Sequence, residues 1–349
     1  MSLQDAVSLQ DAVSREDAVD VLIVSLGSTG GLRAADEELA QSLRRAGASA
    51  TVAQATPPHP LRTLALTDLS WALAARRAAR SELVRRTPRA VIYSSTTAAL
   101  LWPRPGAIRF DAPAAGNRPG RHGLWQRPLE RRRLRQASLL LPLSEGGLRE
   151  APVPARRAGH TLVLPVAIEP SGVEPASRDI DAIAYGANPR KKGLDRVLAA
   201  WARVRRPSEE LLLAGVSEEQ LRRAGLELPE EGVRLTGMLA RSEYRALLRR
   251  ARVFVCAPRR EDYGQAQLEA LADGCLLVTT PAPGPYAALP LARELDPRLV
   301  GEDLGAALRV ALDEPAPGYA VRASQALAPF SHAAVDRLVA EQLLPRLLA

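Results

Sequence analysis

The sequence predicts an α/β protein of two doubly wound halves with a cleft between them, and three observations carry that prediction. At Arg252–Thr280, reading RVFVCAPRREDYGQAQLEALADGCLLVTT, an apolar run leads through a polar loop into a short helix and a second apolar run. Runs apolar throughout and bounded by turn residues are strands covered on both faces, and a helix between two of them implies a parallel sheet. The same alternation occurs before and after a break at Glu169–Arg178 (EPSGVEPASR), which reads as a linker. Finally, 349 residues exceed the size at which one core stops growing.

The elements follow in order. Ser2–Val7, Ser8–Val13 and Ser14–Val19 repeat SLQDAV, SLQDAV and SREDAV, a six-residue period that suits no coiled coil, so residues 1–18 read as a frayed tail. A strand over Val19–Leu26 passes through Gly27-Ser28-Thr29-Gly30-Gly31 into a helix over Leu32–Ala46, which Gly47 ends as a C′ glycine. Strands are predicted at Ala48–Gln54, Ala90–Ser94, Ala107–Phe110, Ser138–Leu143 and Thr161–Val166, and helices at Leu64–Arg86 and Leu124–Gln136, completing a first domain over residues 19–170.

After the linker, strands at Asp181–Tyr185, Glu210–Ala214, Val233–Thr236 and Val253–Ala257 alternate with helices at Leu194–Arg205, after Ser217, and at Arg241–Arg250. Ser217 and Gln220 have capping-box spacing. A helix from about Gly264 to Gly274, a further strand and a helix at Glu302–Leu312 complete a second domain over 179–325, and the amphipathic segment 331–349 is free to pack back on the first.

Composition narrows the function classes. No apolar run approaches the roughly 18 residues of a spanning helix, so a cytoplasmic protein is expected, with membrane contact at most peripheral. Cys256 and Cys275 fall in predicted buried stretches without a CxxC or a histidine partner, against metal and disulfide alike. The net charge is +8, and nine arginines lie between Arg104 and Arg135 against only Asp111 and Glu130. Without interleaved aromatics, no nucleic-acid partner is expected; the patch is either a solvated face or a contact for an anionic membrane. Lysine is the informative cation, because Lys191 and Lys192 are the only two among 47 basic residues.

Three features that seek anions or hydroxyls each follow a predicted strand, where ligands of parallel sheets bind. Gly27–Gly31 offers backbone amides at a helix N-terminus, with a structural turn as the equal alternative. Arg190-Lys191-Lys192-Gly193 sets a compact point charge suited to phosphate at the mouth of a sheet, the alternative being solvated surface charge. Glu261 lies before a helix that carries Gln265 and Glu269 one turn apart. A carboxylate accepts two hydrogen bonds from a vicinal diol, and the apolar helix around Glu269 leaves it few routes to solvent.

E-x7-E within EDYGQAQLEALADGCLLVTT, RKKGLDRVLAAW about 70 residues earlier, and LPLSEGG and VLPVAIEP in the first half resemble the retaining GT-B glycosyltransferases of family 4. The resemblance covers most of the chain from Val19. It implies two Rossmann-like domains facing across a cleft, a nucleotide-diphosphate sugar as donor substrate with no cofactor, no metal, and a hydroxyl-bearing acceptor. By the same resemblance Glu261 contacts the donor sugar, Glu269 the ribose, and Lys192 the diphosphate with Arg190 nearby. Lys191 and Gln265 flank that donor site, Gly264 offers its backbone N–H, and Gly30 and Gly31 close on the diphosphate from the first domain.

The chain departs from the family pattern at Ala187, where arginine is common, at Pro283-Gly284-Pro285, and at Phe110-Asp111, where many members carry a histidine. Asp111 or His122 is left for the acceptor side, with a structural histidine as the alternative at His122. Competing readings are a nucleotide-sugar epimerase or a phosphorylase of similar architecture, a glycosidase, and a basic Rossmann-like protein that binds nucleic acid or membrane. The glycosidase is disfavoured because its two carboxylates must flank one bond.

Overall fold

The computed structural model describes residues 19–118, 120–152, 155, 159–173 and 177–349. The N-terminal repeat lies outside the described residues. The chain forms two α/β units, one of residues up to Ala167 together with Ala333–Ala349, the other of Ile168–His332.

In the first unit β1 (Val21–Ser25), β2 (Ala50–Gln54), β3 (Ala90–Tyr93), β4 (Ala107–Phe110) and β5 (Leu140–Pro142) form a parallel sheet in the order β2-β1-β3-β4-β5. Its strands are apolar because both faces are covered. Leu22, Val24, Tyr93 and Ile108 pack on one side, and Val21, Ile23, Ile92 and Leu141 on the other. Thr29 caps the helix Gly30–Arg45 by accepting from Leu32 N–H, so Gly30 and Gly31 stand in its first turn and not in a loop ahead of it.

The expected strand at Thr161–Val166 is absent. Its backbone runs beside β5, with Leu140 N–H donating to His160 O, and Leu162 and Leu164 N–H donating to Leu140 and Pro142 O. Proline has no N–H to return a bond at position 142, so the ladder breaks after a single bridge at Thr161. Beyond it, Val335, Val339 and Leu343 of the C-terminal segment join the core formed by Val21, Ile23 and Leu164. That segment widens into a π turn at Val339–Leu343, next to Pro345, whose ring cannot fit a regular α turn.

In the second unit β6 (Ile180–Tyr185), β7 (Leu211–Ala214), β8 (Val233–Gly237), β9 (Ala251–Cys256) and β10 (Leu276–Thr279) form a parallel sheet in the order β10-β9-β6-β7-β8. From β6 the chain winds outward to β7 and β8, then returns to place β9 on the other side of β6. The β6–β9 boundary is therefore where the winding reverses, and its carboxyl ends flank the crevice in which open α/β sheets bind ligands. The capping box at Ser217 and Gln220 is present. Trp201, fully buried on the helix Leu194–Val204, donates its Nε1–H to Gly232 O. The described part of the expected linker is bonded to this unit, with Ser171 N–H donating to Asp273 and Arg178 to the Ala251 and Asp273 carbonyls.

The basic stretch 104–135 is not a free patch. Arg104 donates to the Pro88 and Arg89 carbonyls, and Arg109 is buried against Asp36. Arg118 forks onto Asp68, Arg127 binds the Gly120 and Gly123 carbonyls, and Arg133 lies 4.9 Å over the Trp102 ring. Arg104, Arg121, Arg131, Arg132 and Arg135 are nonetheless exposed. Among the described residues no helix is long and apolar enough to cross a membrane.

Candidate functional site

The second unit builds its site at the β6–β9 reversal. After β6, Asn188 adopts a left-handed conformation (φ 59°) and its side chain accepts from Lys191 N–H, with Pro189 at the first position of the turn Pro189–Lys192. Gly193 closes that turn, also left-handed, and starts the helix Leu194–Val204. The turn is tied to the segment after β9, where Arg259 N–H donates to Lys191 O and the Arg259 guanidinium binds Arg190 O and Asp195. Two chain segments about 70 residues apart in sequence are thereby held side by side.

The lysines and the acidic pair Glu261-Asp262 meet across this junction. Lys192 Nζ lies 2.6 Å from Glu261 Oε2, and Lys191 Nζ lies 2.5 Å from Asp262 Oδ2, whose other oxygen accepts from Arg260 at 3.0 Å. Glu261 is only 5% exposed, so its charge is stabilised by this lysine and not by water. Its backbone is fixed as well: Glu261 N–H donates to Pro283 O, and Tyr286 N–H donates to Glu261 O. The Pro283-Gly284-Pro285 sequence is suited to this contact, because Gly284 is left-handed (φ 108°) and a Cβ there would stand 2.3 Å from Glu261 O.

Gly264 (φ 88°) then turns the chain into the helix Gln265–Ala272. On it, Glu269, also 5% exposed, accepts at Oε1 from Arg241 at 2.7 Å and from Gln265 Nε2 at 3.0 Å. Gln267 donates through Nε2 to Glu261 Oε2 at 3.0 Å. Both glutamates thus share one pattern, in which a cation and a glutamine amide hold one carboxylate oxygen. Among the described residues the other oxygen, Oε1 of Glu261 and Oε2 of Glu269, has no hydrogen-bond donor.

Of the residues expected to bind donor, Lys192, Glu261, Gly264, Gln265 and Glu269 stand in this one unit around the helix start. Lys191 stands in the same unit, paired with Asp262. Arg190 is exposed and its Nε donates to Ala224 O at 3.4 Å, so none of its described contacts reaches Glu261. Gly30, Gly31, Asp111 and His122 belong to the first unit. Asp111, half-buried at the carboxyl end of β4, accepts from Ala112 N–H, while His122 is exposed on the short 3-10 turn Gly120–Gly123. Sequence reading missed Arg241, 28 residues from Glu269 on another element, and Gln267, whose polarity in an apolar helix was the available signal.

The segment after β4 has a buried anchor. Glu130, 2% exposed, accepts from Ala114 N–H through both oxygens at 3.1 and 2.9 Å. Burial pushes its carboxyl above the ordinary value of 4.5, against the pull of Ala114 N–H, the Thr96 hydroxyl and Arg118. A folded-state value above the unfolded one means that the native chain keeps this proton longer as pH rises. The stability it contributes is complete below 4.5 and is lost as pH climbs through the folded value. Glu130→Gln is therefore expected to flatten the fall in stability above pH 4.5, as read by denaturant unfolding of both proteins at several pH values. A steeper fall in the variant would contradict the assignment.

Comparison with known proteins adds to this geometry. Residues 181–302 match the family described as Glycosyl transferases group 1. No curated protein matches the chain in sequence. Among solved structures, Anabaena HepE in complex with UDP and glucose is similar at TM-score 0.62 and 17% identity, over 93% of this chain and 99% of that one. Sucrose-phosphate synthase from Thermosynechococcus elongatus gives 0.64 and 17%, over 94% and 98%. WaaG, a glycosyltransferase involved in lipopolysaccharide biosynthesis, gives 0.65 and 16%, over 91% and 99%. The fold is GT-B, and together with the family match in the second unit it defines the class, a glycosyltransferase of GT-B type.

Proposed function

We propose that the protein transfers a sugar from a UDP-sugar to an acceptor hydroxyl with retention at the anomeric carbon, without a metal, as the family 4 resemblance implies. The observation that carries this reading is the Lys192–Glu261 pair at the β6–β9 reversal, with Glu269 on the helix that follows. UDP is the favoured nucleotide because the similar Anabaena HepE has been solved with UDP and with UDP-glucose.

In this mechanism Lys192 and the Gly264 backbone N–H neutralise charge that grows on the departing diphosphate, which lowers the barrier electrostatically. The open oxygen of Glu261 accepts from a donor-sugar hydroxyl, and that of Glu269 accepts from the ribose. The bond from the anomeric carbon to the phosphate oxygen breaks as the bond to the acceptor oxygen forms on the same face. The acceptor proton passes to the departing phosphate oxygen. Asp111, or His122, serves the acceptor, and Gly30 and Gly31 offer backbone N–H groups to the diphosphate. Any contact with anionic membrane runs through the exposed arginines of 104–135, namely Arg104, Arg121, Arg131, Arg132 and Arg135.

A thermal-shift panel of UDP-, GDP-, ADP- and TDP-sugars tests the donor. A ligand at 100 times its Kd stabilises by roughly 2.7 kcal/mol, so the UDP-sugars are expected to raise the midpoint visibly. A shift with none of the four overturns the reading.

A further inference from the structure

We infer that Gln267 is a positioning residue for donor transfer: it fixes one oxygen of Glu261 beside Lys192 so that the other oxygen presents to the donor sugar. The inference rests on the donor reading above and adds to it a residue that neither fold nor resemblance assigns.

Gln267 occupies the third position of the helix Gln265–Ala272, is 1% exposed, and has Leu268, Ala270 and Leu271 as buried neighbours on that helix. A polar amide is costly there unless both ends are bonded. Only one end is. Nε2 donates to Glu261 Oε2 at 3.0 Å and reaches Cys256 Sγ at 3.6 Å, whereas Oε1 is buried without a partner among the described residues. The opposite amide orientation would set Oε1 against a carboxylate oxygen, two acceptors face to face. The side chain therefore tolerates a wasted acceptor in order to keep one donor on Glu261.

The consequence lies in Glu261. Its Oε2 receives Lys192 Nζ at 2.6 Å and Gln267 Nε2 at 3.0 Å, from two different elements. Two donors on one oxygen remove the carboxylate's freedom to rotate, which Lys192 alone, on a flexible stem, does not. Oε1 is the oxygen left over. When a diphosphate draws Lys192 toward itself, the Gln267 amide still holds Glu261 in place. Gln267 consequently matters for the sugar and little for the nucleotide.

The test compares UDP with UDP-glucose on the full chain. Gln267→Met keeps the volume and removes the amide. It is expected to lower turnover of UDP-glucose to glucose and UDP in water about 10-fold, the low end for a lost hydrogen bond to a charged group. UDP affinity by calorimetry is expected to stay within about twofold, because UDP brings no sugar to Glu261. Combining Gln267→Met with Glu261→Ala is expected to cost no more than Glu261→Ala alone, because Gln267 acts through that carboxylate. If Gln267→Met lowers the thermal midpoint, Gln267→Asn, which keeps the amide one methylene short of Glu261, gives the same comparison. Unchanged turnover, equal losses for UDP and turnover, or additive losses in the double variant overturn the positioning role while leaving the donor reading intact. A wild-type protein that binds neither UDP nor UDP-glucose removes the donor reading and this role with it.

Discussion

Replacing Lys192 by alanine is expected to lower donor turnover by about 10²–10³-fold, the usual loss when one donor aimed at developing charge is removed. Its ammonium is the cation paired with Glu261, at 2.6 Å, while the neighbouring Lys191 is held by Asp262. The same substitution also costs stability. Glu261 keeps 7% of its side chain exposed and Lys192 only 20%, so the carboxylate would stay buried with the Gln267 amide as its only side-chain donor among the described residues. Breaking a fully buried pair costs about 3–5 kcal/mol, and this partly exposed one is expected to cost about 2 kcal/mol.

The two effects separate in a double variant. Lys192→Ala with Glu261→Gln is expected to recover most of the lost stability, because no uncompensated charge remains, and none of the turnover. Denaturant unfolding reads the first and release of nucleotide diphosphate the second. Turnover near wild type in Lys192→Ala would remove this lysine from the leaving-group site.

How this site was legible in the sequence depends on the kind of information each residue carries. The lysine pair stood out because every other cation in the chain is arginine, and Glu269 because its helix is apolar around it. Both are local signals. That β6 and β9 are neighbours is not local: β7 and β8 intervene in the chain, and only the sheet order brings Lys192 to Glu261. Arg241 was invisible for the same reason, as its pairing with Glu269 is set by how two helices pack.

The errors have physical causes too. Thr161–Val166 has strand composition, but a partner proline at position 142 stops its ladder. The charge of the 104–135 stretch was counted correctly, but only part of it is exposed. Arg109, for example, lies 4% exposed beside Asp36, whose carboxyl burial pushes upward. A count of arginines cannot distinguish a guanidinium that meets water from one that ties down carbonyls.

Gly193→Ala is expected to be the most destabilising change at the site, because two independent costs fall on one methyl group. The residue is left-handed, at φ 65° and ψ 37°, where an L side chain loses roughly 1–2 kcal/mol. A Cβ there would also stand 1.8 Å from Ala257 O and 2.8 Å from its carbonyl carbon. Those are backbone atoms just past β9, so no rotamer change relieves the clash and the two segments must separate. Gly225 isolates the first cost, since it is left-handed at φ 70° with nothing within 4 Å of the added methyl. Gly225→Ala is thus expected to cost about 1 kcal/mol, and Gly193→Ala about 3 kcal/mol or more, the excess measuring the close approach. Separation of the segments also pulls Lys192 from Glu261, so turnover is expected to fall in Gly193→Ala and to hold in Gly225→Ala. Equal unfolding free energies for the two variants would mean that the turn after β6 does not press on the end of β9, and the pairing of lysine with glutamate would lose its structural basis.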